Sequence, residues 1–305
     1  MTIYLFLDML SFNLNELKPS EAQNYLQHAI APRPICFAST IDAEGNYNLS
    51  PFSFFNLFST NPPICIFSPS RRVRDNTIKH TLENVHAVKE VVINIVTYDI
   101  VQQTSLASTE YAKGVNEFEK SGLTMLKSDL VKPMRVAESP IQLECIVRDI
   151  ISLGNEGGAG NLVLAEIIKM HISESIMKDD KTGIDQTKLD LVARLGGDWY
   201  TRVTPASLFH VTKPITTLGI GVDNIPSAIR NSNVLTGNNL GQLGNVEKLP
   251  SDEEIDLLKM NGEIKEIFDA FIGDKHSLEI HLHKKAKELL DKGEVHEAWK
   301  VLLVL

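Results

Sequence analysis

The stretch from Pro32 to Asn84 constrains the fold most, because short apolar runs alternate there with turn sequences. The runs are rich in Ile, Phe and Thr and occupy residues 34–42, 47–58 and 63–69. Turn-forming residues separate them at Ala43-Glu44-Gly45-Asn46 and at Asn61-Pro62-Pro63. The pattern predicts three consecutive β-strands, then an arginine-rich loop and a helix that begins near Asn76.

These predicted strands carry more hydroxyl and amide groups than packing alone requires. In the second run, Ser50, Ser53 and Asn56 interrupt a segment with four phenylalanines. A buried polar group must find a hydrogen-bond partner or it costs stability. Aromatic rings mixed with small polar groups suit a flat heteroaromatic ligand with polar edges. The alternative, which the composition leaves open, is the ordinary polarity of an exposed edge strand.

The same residues resemble the flavin reductase-like family. The resemblance is carried by the ordered series PRPI, STID, NLSPFSFFN, NPP, FSP and KHTLEN. Val92-Ile93-Asn94, Ser139-Pro140 and the hairpin that follows extend it to about residue 175. An ordered match of several motifs is far more specific than a single glycine motif. The resemblance implies an FMN-binding split β-barrel.

The expected fold is mainly β: a six-stranded Greek-key split β-barrel with inserted helices and a helical C-terminal extension. Residues 1–30 form a helical lead-in, 31–204 the FMN-binding split-barrel domain, and 205–305 an extended arm followed by helices. The chain lacks an alternating βαβ pattern, so a doubly wound nucleotide-binding domain is not expected.

The resemblance implies two groups of FMN contacts. The first lines the isoalloxazine ring and comprises Ser39, Thr40, Ser53, Phe54, Phe55 and Asn56. The second holds the phosphate and comprises Ser68, Ser70, Arg72, Lys79 and Thr81. Lys79-His80-Thr81 matches the family's lysine–polar–threonine signature, although His80 stands where an acidic residue is common.

Two alternatives stay open for the basic residues. Arg33 lies between two prolines, which hold its backbone extended, and it is either a cation near the flavin or a salt bridge at the barrel rim. The basic residues from Arg71 to Lys79 either meet the phosphate or solvate a surface helix and pair with Asp75 and Glu83.

The resemblance also implies an activity. An oxidoreductase of this type passes electrons from NAD(P)H through bound FMN to an acceptor, which the sequence does not name, and it works as a homodimer. No catalytic acid or base is expected, and the chain shows no Ser/His/Asp or paired-carboxylate arrangement. One alternative is a flavoredoxin-like carrier that takes electrons from a protein partner. Another is an adaptor in which residues 205–305 are the functional part.

Composition narrows the partners and the compartment. The net charge of −9 argues against nonspecific nucleic-acid binding. The three cysteines include no CxxC pair and sit in apolar runs, which indicates buried side chains in a reducing compartment, by default the cytoplasm. The first residues are too short for a membrane span and lack signal-peptide features, and Met9 is an alternative start.

The local patterns outside the strands give further predictions. A helix is expected over 15–30 with Ser20 as its N-cap, and another over 284–302. Ser251-x-x-Glu254 predicts a capping box. The glycine-rich segment 154–160 predicts a hairpin loop rather than a phosphate cradle. His276, His281 and His283 lack metal-ligand spacing and are expected on the surface, and no metal site is predicted.

Overall fold

The computed structural model describes residues 9–214, 218–260 and 262–305. The chain divides into two compact units, Met1–Leu208 and Phe209–Leu305. We call them the β unit and the helical unit.

The β unit contains twelve strands within its described residues. They are β1 (Arg33–Pro34), β2 (Cys36–Ile41), β3 (Tyr47–Phe52), β4 (Phe55–Thr60), β5 (Pro63–Phe67), β6 (Glu90–Ile95), β7 (Met125–Leu126), β8 (Arg135–Val136), β9 (Ile141–Ser152), β10 (Asn161–Ile172), β11 (Val192–Arg194) and β12 (Tyr200–Arg202). Seven form one antiparallel sheet in the order β3-β2-β6-β9-β10-β5-β4. β1, β11 and β12 form a second sheet, and β7 pairs with β8.

The large sheet has seven strands where the sequence predicts six. The predicted run 47–58 is two strands, and these lie at opposite edges of the sheet. Only Ser53 and Phe54 join β3 to β4, which is far too short a link to cross a flat seven-stranded sheet. The sheet must therefore curl until its two edges approach each other. We call the Ser53-Phe54 link the seam.

Two apolar clusters fill the β unit. One surrounds Phe67 and Val85 and includes all three cysteines, each at most 1% exposed. The other surrounds Phe37, Leu49 and Phe118. The prediction of buried cysteines is confirmed, and burial raises the pKa of the Cys36 thiol well above its ordinary value.

Residues 9–208 of the β unit contain four α-helices: α1 (Pro19–Ala29), α2 (His80–Ala87), α3 (Val101–Leu106) and α4 (Glu117–Ser121). Ser20 does not cap α1, because Pro19 already occupies its first position and the backbone N–H of Lys18 donates to Glu21. The predicted start of α2 near Asn76 is also wrong. Asn76 has a left-handed backbone (φ 56°), and the Asp75 carboxylate accepts from the Thr77 N–H in a turn.

The helical unit contains six α-helices within its described residues: α5 (Ser227–Arg230), α6 (Gly237–Gly244), α7 (Asp252–Lys259), α8 (Gly262–Ala270), α9 (Lys275–Asp291) and α10 (Val295–Leu302). The predicted capping box at Ser251 and Glu254 is confirmed. The predicted helix over 284–302 is two helices, because Gly293 takes a left-handed backbone (φ 81°) between them. The predicted arm is partly helical, since it contains α5 and α6.

Trp299 lies fully buried at the centre of the helical unit, and its indole N–H donates to the Leu243 carbonyl at 3.0 Å. His283 is not a surface residue as predicted. It is 5% exposed, and its Nδ1 lies 2.7 Å from the Ser232 hydroxyl. In the three described ranges, no helix combines the length and the apolar character that a membrane span requires.

Candidate functional site

A small polar cavity of about 30 Å³ lies at the start of α2. Its lining includes Ser50, Arg72, Lys79, Thr81, Ser108 and Glu110. We call it the Lys79 cavity. Three of the residues predicted to hold a phosphate, Arg72, Lys79 and Thr81, therefore meet at one place. Ser50, Ser108 and Glu110 were not predicted.

Lys79 is a half-buried cation in the N-cap position of α2. Its ammonium makes no hydrogen bond or salt bridge within the described part of the chain, and it lies 5.8 Å from the centre of the Phe52 ring. Burial, with the nearby Arg72 charge, lowers the pKa of Lys79. A cation held in this way, beside a second cation, favours an anion in the cavity.

Arg72 is locked in place at the same cavity. Its guanidinium donates to the Ile78 carbonyl at 2.7 Å and forms a salt bridge with Glu110 at 2.9 Å. Glu110 also pairs with Arg74 at 3.0 Å. Hydrogen bonds from Arg72 and Arg74 lower the pKa of Glu110. Glu110 therefore brings a negative charge to the Lys79 cavity, whose lining also includes the Glu117 carboxyl group.

If the basic residues only solvated a surface helix, they would pair with Asp75 and Glu83, and these pairings are present only in part. Arg74 pairs with Asp75 at 3.0 Å, as that interpretation expects. Lys79 does not pair with Glu83, whose carboxylate lies 3.4 Å from Lys113. Among the described residues, Arg71 and Lys79 are thus without an acidic partner, and Arg71 instead donates to the side chain and the carbonyl of Asn76.

A buried hydrogen-bond network centred on Asn48 lies behind the cavity. The Asn48 carbonyl oxygen accepts from the hydroxyls of Thr81 at 2.7 Å and Thr40 at 3.3 Å. Its amide donates to Glu117 at 3.0 Å, and Asn84 donates to Thr40 at 3.1 Å. Burial raises the pKa of Glu117. The Thr40 and Thr81 hydroxyls are therefore engaged within the protein, and the network fastens α2 and α4 to β2 and β3.

The sequence does not reveal this network. Glu117 lies 69 residues from Asn48. Each polar residue alone resembles an ordinary strand or helix residue, and only the tertiary fold shows that they meet.

A groove leads away from the Lys79 cavity. Next to it is a cavity of about 100 Å³ lined by Phe52, Ser53 and Ser105, among others. A third cavity of about 490 Å³ follows, lined by residues that include Tyr98 and Arg202. Ser108 lines all three cavities, and Arg194 and Tyr200 line the second and the third. The three cavities thus form one groove along the Ser53 side of the seam.

The arginines at the far end of the groove are fixed by neighbours. Arg194 donates to the Tyr200 hydroxyl at 2.7 Å and to the Gly197 carbonyl at 2.7 Å. Arg202 forms two hydrogen bonds to Asp190, at 2.8 and 2.6 Å, and stacks on the Tyr98 ring. Arg194 also lies 4.0 Å from the exposed Asp198 carboxylate, so its charge is paired less closely than that of Arg202.

The residues predicted to line the ring are not brought together. Ser53 lies in the groove, whereas Phe54 lines a separate cavity beside α1 and Phe55 packs against the core. Asn56 is exposed on the edge strand β4, and its side-chain oxygen accepts from the Leu57 N–H at 2.8 Å. Ser39 is fully buried, and its hydroxyl has no hydrogen-bond partner among the described residues.

The two predicted loop serines lie outside the groove. Ser68 is buried against Gly160, where a Cβ atom would lie 2.6 Å from the serine oxygen. Ser70 is half-buried and lines none of the three groove cavities. The segment 154–160 joins β9 to β10, so the predicted hairpin loop is confirmed.

Arg33 makes no salt bridge with a described residue, so the rim salt bridge is not what the structure shows. Its guanidinium donates to the carbonyls of Gln27 and Ile30, at the end of α1, and of Leu195. The arginine holds the C-terminal end of α1 against the small sheet.

Asp129, Glu144 and His171 place potential metal-ligand atoms within 4.8 Å of one another. The Glu144 carboxylate accepts from the backbone N–H groups of Asp129, Leu130 and Val131 and from the His171 ring. Burial opposes its ionisation, yet these donors hold the pKa of Glu144 below its ordinary value. All four acceptor positions of the carboxylate are used, so the cluster fastens the loop at 129–131 rather than offering a free ligand.

Comparison with known proteins assigns the β unit. The sequence profile of the "flavin reductase like domain" family matches residues 28–186, just over half of the chain. The chain belongs to the flavin reductase-like family. An uncharacterized protein of Aquifex aeolicus is 34% identical over 173 residues, which cover 57% of this chain and 85% of that protein.

Solved structures agree with this assignment. Component B of nitrilotriacetate monooxygenase from Bacillus cereus is 27% identical, with a TM-score of 0.62 over 67% of this chain and 98% of that chain. A split-barrel protein of flavin reductase type from Shewanella frigidimarina is 25% identical, with a TM-score of 0.56 over 66% and 96%. The open, curled sheet of the β unit corresponds to this split barrel.

Proposed function

We propose that the protein binds FMN and works as an oxidoreductase of flavin reductase type, passing electrons from NAD(P)H to an acceptor. The observation that carries this proposal is the Lys79 cavity. A half-buried ammonium without a protein partner stands there beside Arg72, at the start of a helix. The family supplies a flavin, and the terminal phosphate of FMN would supply an anionic partner for the Lys79 ammonium.

The residues of the cavity fit a phosphate group. Lys79 and Arg72 offer charged donors, each contributing about 1.5–3 kcal/mol to a charge-assisted hydrogen bond. Ser50 and Ser108 also line the cavity and offer hydroxyls. The first amides of α2 and the helix dipole favour a negative charge at the same end. We propose that Thr81 and Thr40 act indirectly, by fixing Asn48 and the start of α2.

The groove gives the rest of the cofactor a path along the seam. We propose that the ring lies near Ser53 and Phe52, where the two edges of the sheet approach each other. Bound FMN would supply the hydride and electron chemistry. The protein residues then need only to bind and orient the ring and leave one face open.

NAD(P)H has no binding domain of its own in the described fold, because the sheet is antiparallel and the described residues contain no neighbouring parallel strands joined by a helix. We propose that it docks at the wider end of the groove, near Arg194. The alternative is a flavoredoxin-like carrier reduced by a protein partner. Rapid mixing of the FMN-loaded protein with NADH and NADPH separates the two, because only the reductase bleaches the flavin absorbance directly.

The edge strand β4 supports the proposal of a homodimer. It exposes Leu57 and Phe58, the latter by 65%, on a strand that pairs only with β5. Edge strands of this kind are ready to associate. Light scattering should give twice the mass of the 33.9 kDa chain. We propose a cytoplasmic location, in which the three buried cysteines stay reduced.

The assignment of FMN to residues 31–204 is tested by comparing two ligands. Lys79→Ala should weaken FMN binding by at least about tenfold, since it removes a charged donor to the phosphate. Riboflavin has the same ring without a phosphate, so its affinity should change by less than about twofold. Lys127→Ala, at an exposed lysine outside the groove, is the matched control. Equal losses for both ligands, or no loss, would remove Lys79 from the site.

A further inference from the structure

A second large cavity, of about 480 Å³, opens beside α1 on the Phe54 side of the seam. One wall is a face of α1 with Ala22, Leu26 and Ile30, and the other includes Phe54 and Val73. We call it the α1 cavity. It shares none of its lining residues with the groove. Its volume falls within the roughly 300–1,000 Å³ that is typical of small-molecule sites.

The apolar lining of the α1 cavity is left uncovered. No residue of α1 is buried, although one of its faces is apolar. Leu26, Ile30, Phe54 and Val73 are each at least 43% exposed. Contiguous exposed apolar side chains around a concave surface indicate a site that something else covers.

The charge at the cavity is equally distinctive. Of the described residues that line it, Arg33 is the one that carries a charge, and it is 8% exposed. Its hydrogen bonds go to neutral carbonyl groups, and its Nε has no partner among the described residues. Burial, together with the Arg194 charge, lowers the pKa of Arg33. The carbonyls at the end of α1 offset part of this charge, but no carboxylate in the described ranges does so.

We propose that the α1 cavity binds a small organic anion with an apolar, ring-containing body and one carboxylate. The apolar walls would cover the body, and the carboxylate would compensate the buried guanidinium across a region of low dielectric. A neutral ligand of the same shape would gain only the apolar contacts. A dianion would bring a second charge for which the lining has no cation. This binding site stands independently of the proposed flavin chemistry.

The experiment uses the full chain without FMN and two probes of nearly equal shape. 2-Naphthoate carries the charge, and 2-naphthamide is its neutral counterpart. Calorimetry should show naphthoate binding at least about tenfold more tightly. Ala22→Trp fills the cavity from α1 and should weaken naphthoate at least about tenfold. Ala29→Trp, on the same helix but outside the lining, should change it less than about twofold.

Arg33 is then tested for its charge. Arg33→Lys should preserve the preference for naphthoate, whereas Arg33→Gln should reduce the two affinities to within about twofold of each other. Circular dichroism checks that α1 persists, and the Ala22→Trp result stands even if Arg33→Gln does not fold. FMN affinity, measured on the same samples, reports separately on the proposed function.

Three results would overturn the proposal. Naphthoate and naphthamide could bind the unmodified protein equally, so that charge plays no part. Naphthoate binding could survive Ala22→Trp, so that it occurs elsewhere. Naphthoate affinity could also fall as protein concentration rises and the protein associates, which would assign the cavity to a second copy of the chain.

Discussion

The two units of the chain differ in what they bury. Within the described residues, all but two of the buried polar or charged side chains lie in the β unit, and the exceptions are Asn239 and His283. The helical unit is held together by apolar contacts around Trp299. Helices satisfy their own backbone groups, whereas the β unit must hold several irregular segments in place. Buried polar networks therefore mark the unit in which loop geometry matters, and this is the unit that contains the groove.

The largest expected effect concerns the apolar contacts that hold the helical unit together. Trp299→Ala should lower the free energy of unfolding by about 3–5 kcal/mol, because it leaves a cavity at the centre of the helical unit. FMN affinity should stay unchanged in the folded fraction, since the proposed site lies in the β unit. Trp199→Ala is the matched control, because that side chain is 74% exposed. Denaturant titration and FMN fluorescence measure the two quantities. If Trp299→Ala also lost FMN affinity in the folded fraction, the proposed separation of the FMN site from the helical unit would be wrong.

The buried polar network of the β unit is tested by Asn48→Leu, which keeps the bulk of the side chain and removes its hydrogen bonds. Thr81 and Glu117 would each lose a buried partner, so the free energy of unfolding should fall by about 2–3 kcal/mol. FMN should also bind less tightly, because the start of α2 loses its attachment. Asn239→Leu removes the buried asparagine of the helical unit, whose oxygen accepts from the Thr236 N–H at 3.0 Å at the start of α6. That change should cost about 1 kcal/mol and leave FMN affinity intact.

The third prediction concerns pH and His283. The Ser232 hydroxyl accepts from two backbone N–H groups, so its proton goes to His283, which must be neutral. Burial lowers the pKa of His283 in the folded protein. Below the unfolded value of about 6.5, the unfolded chain binds more protons, so stability falls as pH falls towards the folded pKa. The slope is at most about 1.4 kcal/mol per pH unit.

Urea titrations between about pH 7.5 and 5.5 measure that slope. His283→Gln should flatten it, whereas His276→Gln, at an exposed position of the same helix, should leave it as it was. An unchanged slope in His283→Gln would show that another group titrates.

The smallest expected effect concerns the negative charge of Glu110 in the Lys79 cavity. Glu110→Gln removes a negative charge beside the proposed phosphate, so FMN affinity should rise by about two- to fivefold and riboflavin affinity should not. Glu83→Gln, at a nearby carboxylate that pairs with Lys113, is the control. If FMN binds less tightly in Glu110→Gln, the main role of Glu110 is to hold Arg72 in position.

The sequence predicts the family, most strands and part of the proposed site, because these depend on local patterns. Lys79, Arg72 and Thr81 lie within ten residues of one another, so a short motif captures them. The start of α2 is missed because Asp75 and Thr77 resemble a helix cap yet form a turn before it. Contacts over long separations, such as those of Asn48, leave no periodic signal.

The seam shows why the strand count also differs. Ser53 and Phe54 look like two more residues of one strand, since neither position holds Gly, Pro, Asn or Asp. The break is dictated by the closure of the sheet, in which β3 and β4 pair with different neighbours. Closure is a property of the whole sheet, and no window of the sequence contains it.

The Glu144 cluster has a consequence for which sequences this fold can accept. The carboxylate binds residues 129–131 through backbone N–H groups, and their side chains take no part in those bonds. These three hydrogen bonds therefore place no demand on side-chain identity, although the Val131 side chain is buried and Asp129 pairs with Lys169. Proline is excluded at each of the three positions, because it has no N–H to give. A single distant acid thus fixes the shape of a loop through bonds that any residue except proline can make.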